Sequence, residues 1–388
     1  MSIKLRVGGK DYSNWTSVSV SRSMDAASGA FNFVAASDEK QPFPVKTGDP
    51  VSVVIGGTEV MNGYIDMVEV SYTADNHHIQ VTGRDKTADI IDSKVDHEIE
   101  FQAPISLDEV AKQTLANIGA SDVKIVNNIK DLKPFEKGEL ISASIGQGAF
   151  DFIESYARKR QALVTTDGKG SLVLTRADED GPKISFNNVI GGKDNNIKSA
   201  SVSYDDTERY SDYKLYSQGN PGGDEDVDES SEQLTNRTAT YKDKEIRSSR
   251  KYSNLAESSS KEEPLSDRVQ WEAEIRKAKS FKYECAVVGF TAAEDGPPYE
   301  PNKLANVKDD FSNVDRELLI TDIEYTLSLY EGSITRFTLI PKEAYSTLKK
   351  EDQFQGKPAS KTPKKAADEA DTGKRLAQVW GNNDKTVK

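Results

Sequence analysis

Polar and apolar residues alternate strictly through much of the first hundred positions. Trp15-Thr16-Ser17-Val18-Ser19-Val20-Ser21 and Phe31-Asn32-Phe33-Val34 place every second side chain on one face, the pattern of half-buried strands. Pro50-Val51-Ser52-Val53-Val54-Ile55 runs into Gly56-Gly57, a two-residue hairpin signal. Tyr64–Tyr72 and Ile79–Gly83 read as two further strands, separated by a turn at Asp75-Asn76. Short strands at short spacing predict a small β-barrel or sandwich over residues 1–100.

The period then changes. Ser106 with Glu109 three residues on forms a capping box, and Leu107, Val110, Ala111, Leu115 and Ile118 share one helical face up to Gly119. A second helix is expected from Gly148 to Arg160, with Phe152, Ile153 and Tyr156 on its apolar side. Ala162–Thr165 and Ser171–Thr175 flank Asp167-Gly168-Lys169-Gly170 as a hairpin. Residues 101–178 thus read as a small α/β domain. Strand patterns return over 179–345, at Ile197–Tyr204, Tyr213–Gln218, the run around Cys285, Leu318–Leu329 and Ser333–Ile340, with a helix over Asp267–Lys279. Residues 219–265 form a polar insertion whose composition predicts mobility, or order gained on contact. Residues 346–388 have no period. They read as a disordered or partner-docking tail in which Leu376, Val379 and Trp380 are the docking candidates.

A weak internal repeat links the two β regions. Ile65-Asp66-Met67-Val68-Glu69-Val70 echoes Ile320-Thr321-Asp322-Ile323-Glu324-Tyr325. Each follows a short strand and turn, and each is followed by a further strand, Ile79–Thr82 and Ile334–Thr338.

Composition narrows the chemistry. The net charge of −13 disfavours gripping nucleic acid through its phosphates. No apolar run reaches the roughly 18–20 residues needed to cross a bilayer. Met1–Val7 alternates like a strand rather than a signal peptide, so synthesis and retention in the cytoplasm, or in a particle built there, is expected. Cys285, the single cysteine, lies in a strand-like run and reads as a buried small hydrophobe. The histidines are His77, His78 and His97; His77-His78 falls in the expected Asp75–His78 turn and makes a poor chelating pair, since neighbours on a strand face opposite ways. Gly146-Gln147-Gly148 reads as the entry to the second helix, not as a phosphate loop. No catalytic constellation, cofactor site or metal site is expected.

The order of several segments resembles the hub proteins of Mu-like and P2-like contractile phages, the "late control D" type. They are Gly48–Gly57, Gly63-Tyr64-Ile65-Asp66, Gly83-Arg84-Asp85-Lys86-Thr87-Ala88-Asp89-Ile90-Ile91-Asp92-Ser93, Arg268–Arg276, Val287-Val288-Gly289-Phe290, Tyr299-Glu300-Pro301-Asn302 and Leu318-Leu319-Ile320. The resemblance covers about residues 1–345, with Tyr299 where the family often has Trp. It implies an α+β, mainly β fold: two similar β-barrel domains separated by the small α/β domain, assembled as a trimeric ring. It further implies a structural, non-enzymatic role, with the hexameric tail tube or a tube-adaptor ring on one face, the trimeric central spike on the other and further baseplate proteins around it. DNA would pass through the channel without specific binding, and the protein would reside in the virion after assembly in the host cytoplasm. Two competing expectations are the hub of a pyocin or type VI-like injection system, and a peptidoglycan-cleaving tail protein.

Overall fold

The computed structural model describes residues 2–346 apart from 37–43, 74–76, 138, 179, 182–183, 218–237, 257–264 and 294–295. The first strands are β1 (Ile3–Val7), β2 (Lys10–Tyr12), β3 (Ser17–Ser23), β4 (Ala30–Ala36), β5 (Pro50–Ile55), β6 (Thr58–Tyr72) and β7 (His77–Asp85). They pair antiparallel in the order β3-β4-β7-β6-β5-β1-β2. The alternation is realised: Val18, Val20, Phe31 and Phe33 are buried, and Trp15 packs edge-on against Phe33 at 5.0 Å. Gly56 and Gly57 both take positive φ in the β5–β6 turn, which lets a two-residue hairpin follow the strand twist. His77 and His78 lie on β7, not in the expected turn; they pair with Tyr72 and Ser71 because β6 and β7 run longer than the alternation alone suggested.

A short helix α1 (Ala88–Asp92) leads into the small α/β unit. Its elements are β8 (Ile99–Phe101), α2 (Leu107–Asn117), β9 (Lys124–Asn127), β10 (Ile141–Ala143), α3 (Ala149–Lys159), β11 (Leu163–Thr166) and β12 (Ser171–Thr175). Ser106 Oγ accepts the Glu109 N–H at 3.2 Å, while the Glu109 carboxylate accepts from Gln113 at 3.2 Å. Gly148 stands at the N-terminal boundary of α3. Leu107, Val110 and Leu115 of α2 pack with Phe152, Ile153 and Ala157 of α3 over Val164, Leu172 and Leu174.

The chain returns through β13 (Ile184–Asn188) and β14 (Ile197–Tyr204). It then makes a separate three-stranded sheet from β15 (Asp212–Ser217), β16 (Thr238–Lys242) and β17 (Lys251–Ala256), backed by α4 (Leu265–Lys279). This corrects the expectation of a wholly mobile insertion over residues 219–265, since 238–256 supply two strands that pair with β15 and pack on α4. Tyr241 and Tyr252 join Tyr210, Tyr213, Leu215, Val269 and Ala273 in a local core, and the Arg276 guanidinium lies 4.6 Å from the Tyr252 ring centre. The last strands are β18 (Phe281–Val288), β19 (Lys303–Asp309), β20 (Val314–Ser328) and β21 (Gly332–Ile340). Cys285 is buried on β18, which pushes its thiol up to about 12.

These strands follow the order β14-β18-β21-β20-β19-β13. Asp322–Ser328 of β20 also pairs with Ser17–Ser23 of β3, which fuses the two halves into one 13-stranded sheet. One apolar core runs behind both halves, from Ile3 and Phe33 to Tyr325 and Leu339. Among the described residues the strand order is an open path with free edges; neither half closes on itself as the expected barrels would.

Candidate functional site, an assembly surface

The weak sequence repeat corresponds to a structural one. Strand for strand, β3-β4-β7-β6-β5-β1 matches β14-β18-β21-β20-β19-β13. Both long strands, β6 and β20, have 15 residues, and both following strands, β7 and β21, have nine. The β6–β7 register shifts between Ile65 and Met67, and the β20–β21 register shifts between Ile320 and Asp322. The bulge therefore falls at the same place in both copies of the repeated sequence, and a bulge re-aims the strand beyond it.

The two modules differ in what covers that strand. Beyond its bulge β20 is paired on both sides, by β21 and by β3. Tyr325 is 0 % exposed there. Beyond its bulge β6 is paired by β7 alone among the described residues, and Val70, the counterpart of Tyr325, is 57 % exposed. The counterpart of β3 is β14, which among the described residues pairs only with β18. Tyr204 on β14 is 74 % exposed, against 7 % for Arg22 at the matching position of β3. Among the described residues there is thus one β20–β3 joint, and two edges of the same two kinds are left unpaired.

The sheet face opposite the core is hydroxylic. Ser17, Ser19, Ser21 and Ser23 line it on β3, and Ser199, Ser201 and Ser203 on β14. Ser19 donates to Glu324 at 2.7 Å, Arg336 to Thr326 at 2.7 Å and Gln80 to Asn32 at 3.1 Å. An open depression of about 630 Å3 lies on this face, bordered by Ser21, Ser199, Ser201, Glu284, Glu324 and Arg336. Its charged lining is Glu284, Asp322, Glu324, Arg22 and Arg336, and Arg22 is buried, with its guanidinium on the Asp167 carbonyl.

Buried polar side chains fix the modules to the α/β unit. The Asp85 carboxylate is 1 % exposed and accepts from Ser28 Oγ at 2.8 Å, Gly29 N at 2.9 Å, Thr87 N at 3.1 Å and Thr166 Oγ1 at 3.0 Å. It ties β7 to β11. Asn302 does the same for the second module, accepting from Asp178 N at 2.9 Å and donating to the Arg176 carbonyl at 2.9 Å. Both residues belong to segments that carried the resemblance. Asp309 accepts from Tyr283 at 2.9 Å, Asn188 at 2.9 Å and Ser312. Burial alone would raise its carboxyl, but these donors hold it below the usual carboxylate range. The docking candidates Leu376, Val379 and Trp380 lie outside the described residues. The sequence reading missed both open edges, because an uncovered strand has the same alternation as a covered one.

Three family matches follow one another along the chain. Residues 2–85 match the Mu phage baseplate assembly protein GpP-like N-terminal family, 87–176 the second domain of baseplate hub protein gp44-like proteins, and 261–348 the fourth domain of Mu phage baseplate assembly protein GpP. The chain belongs to the Mu-like baseplate hub proteins. It is 28% identical over 351 residues to baseplate hub protein gp44 of Escherichia phage Mu, covering 89% of each chain. The 43 kDa tail protein of prophage MuSo2 from Shewanella oneidensis superposes with a TM-score of 0.73 at 27% identity, over 90% of this chain and 100% of that one. A component of the E. coli type VI secretion system, the c3393 protein, described as structurally similar to the T4 tail proteins gp27 and gp5, shares the fold with a TM-score of 0.53 at 11% identity, over 89% and 79% of the two chains. This Mu-like hub is therefore a component of a phage tail baseplate.

Proposed function

We propose that this hub is a homotrimeric symmetry adaptor of a contractile tail, without enzymatic activity. It joins the hexameric tail tube, or a tube-adaptor ring, to the trimeric central spike, contacts other baseplate proteins and encloses the path of the DNA. The observation that carries the reading is the duplicated six-stranded module. Three chains bring six modules of one strand order to a sixfold partner, while the elements present once per chain, the α/β unit and the β15–β17 sheet with α4, repeat three times. The hydroxylic sheet face suits the channel lining, since it offers DNA serine and threonine hydroxyls rather than a run of cations that would grip its phosphates.

The test is the mass of the purified chain by light scattering, with and without the spike protein. Three times the chain mass is the expected result. A chain that stays monomeric even with its spike would sink the adaptor reading. The fold shared with the type VI component supports, at the level of fold alone, the same role in a pyocin or type VI-like machine.

A further inference from the structure

Two neighbouring turns at one end of the second module each hold an apolar side chain out in solvent. Ile190, just after β13, is 86 % exposed, and Phe311, between β19 and β20, is 93 % exposed. Apolar residues scattered singly over a surface need no explanation. These two are not scattered. The Ile190 N–H donates to the Asp310 carboxylate at 2.8 Å, and the Asp310 N–H donates to the Asn188 carbonyl at 3.1 Å, so the turns are tied together. Each is also braced from within. The buried Asp309 carboxylate accepts from the Phe311 N–H at 3.1 Å, as well as from Tyr283, Asn188 and Ser312. Asn195 accepts from the Val189 N–H at 2.8 Å and donates to the Val189 carbonyl at 2.9 Å. Asn196 accepts from the Asn187 N–H at 2.8 Å and donates to the Ser185 carbonyl at 2.8 Å. A side chain left in water contributes no burial to folding. A partner gains from the arrangement, because an apolar anchor on a pre-ordered turn has less freedom to lose on binding.

The duplicate module lacks the pair. Its turn at the place matching β19–β20 lies between β5 and β6 and reads Gly56-Gly57, and a Cβ on Gly57 would meet nothing within 4 Å. A sixfold partner meets the two modules alike. A feature borne by one module of the two occurs three times in a ring of three chains, and so fits a threefold partner. We propose that Phe311, with Ile190 beside it, is the anchor by which each chain grips the trimeric central spike, seated in an apolar pocket on that protein. The spike as partner, and its symmetry, rest on the adaptor reading; the choice of these two residues does not. Rigid aromatic anchors that fill a pocket carry a large share of the energy of a protein interface, and the contacts around them mainly exclude water.

The test uses the full chain with the purified spike protein and, separately, with the tube protein. Affinities are read by titration calorimetry, and the mass of the chain alone by light scattering. Phe311→Ser, alone and with Ile190→Ser, should keep the urea midpoint and the mass of the unaltered chain, because both side chains lie in solvent. Spike affinity should fall by at least about thirtyfold in the double variant. Phe311→Leu keeps an apolar anchor and should lose no more than about fivefold. Unchanged spike affinity in the double variant would overturn the anchor and leave the adaptor standing. A fall in mass would assign the pair to a neighbouring copy, and a loss of tube binding with spike binding kept would assign it to the tube; either result overturns the proposal. An unaltered chain that ignores the spike would overturn the adaptor reading and the anchor together.

Discussion

The two six-stranded modules share a strand order and the position of a bulge, yet their long strands meet different surroundings. β20 is sandwiched between β21 and β3, whereas among the described residues the same stretch of β6 has a neighbour on one side only. The outer pairs differ too: β1 runs antiparallel to β5, but β13 runs parallel to β19. The crossing of β6 and β7 is a third difference. It is built on Gly63 and Gly83, where the second module has Leu318 and Leu339. A Cβ on Gly63 would sit 1.9 Å from the Arg84 carbonyl oxygen, so the first module draws its strands closer than any side chain permits. Duplicated topology therefore tolerates divergent packing, and burial along a strand is set by its neighbours rather than by its own residues.

The largest effect on this comparison should come from Gly63→Ala. It is expected to cost more than about 4 kcal/mol, or to prevent folding, because backbone rather than a flexible side chain must move. Gly57→Ala, at positive φ but with nothing near its Cβ, should cost only about 1 kcal/mol in the same urea titration. Tyr325→Ala should cost about 3–5 kcal/mol in chemical unfolding, whereas Val70→Ala, its counterpart, should stay within about 0.5 kcal/mol for the unassembled chain. Equal effects would show that the uncovered stretch of β6 is buried already.

Asp85→Ala should cost about 2–3 kcal/mol, since it strands buried hydroxyl and amide donors. The pH dependence probes Asp309. Its folded carboxyl is held below the ordinary value, so its contribution is complete above the unfolded pKa and is lost as pH falls through the folded one. The stability gap between the native chain and Asp309→Asn should stay constant near neutrality and narrow below about pH 4, as read from urea midpoints. A gap that widened in acid would reverse the assignment. The smallest effect on folding should come from truncation after Thr347, which keeps the bond from Trp271 to the Ser346 carbonyl. Unfolding should be unchanged. If Leu376, Val379 and Trp380 dock a neighbour, assembly with tube and spike should weaken, and equal assembly would remove that role.

Period-two alternation in β3, β4 and β5, the glycine turn at Gly56-Gly57 and the helix start at Ser106 are local properties, and they were legible because backbone sterics and capping act within a few residues. The repeat of Ile65–Val70 in Ile320–Tyr325 was legible for the same reason, as two strands of one pattern. Residues 238–256 were not: their strands are held by Tyr213 and α4, which are distant in sequence. The roles of Asp85 and Asn302 were hidden likewise, since a buried carboxylate and an exposed one are the same letter until their donors converge.

What the sequence by itself determined was much of the inventory: most of the long strands, the helices of the α/β unit, which face of each is apolar, and the resemblance to a family. Only the tertiary structure decided that β20 reaches across to β3, that the halves share one sheet rather than closing separately, and that β6 and β14 have no second neighbour among the described residues. Strand alternation specifies a face to bury, but a strand's neighbour is chosen by backbone hydrogen bonds that any residue except proline can make.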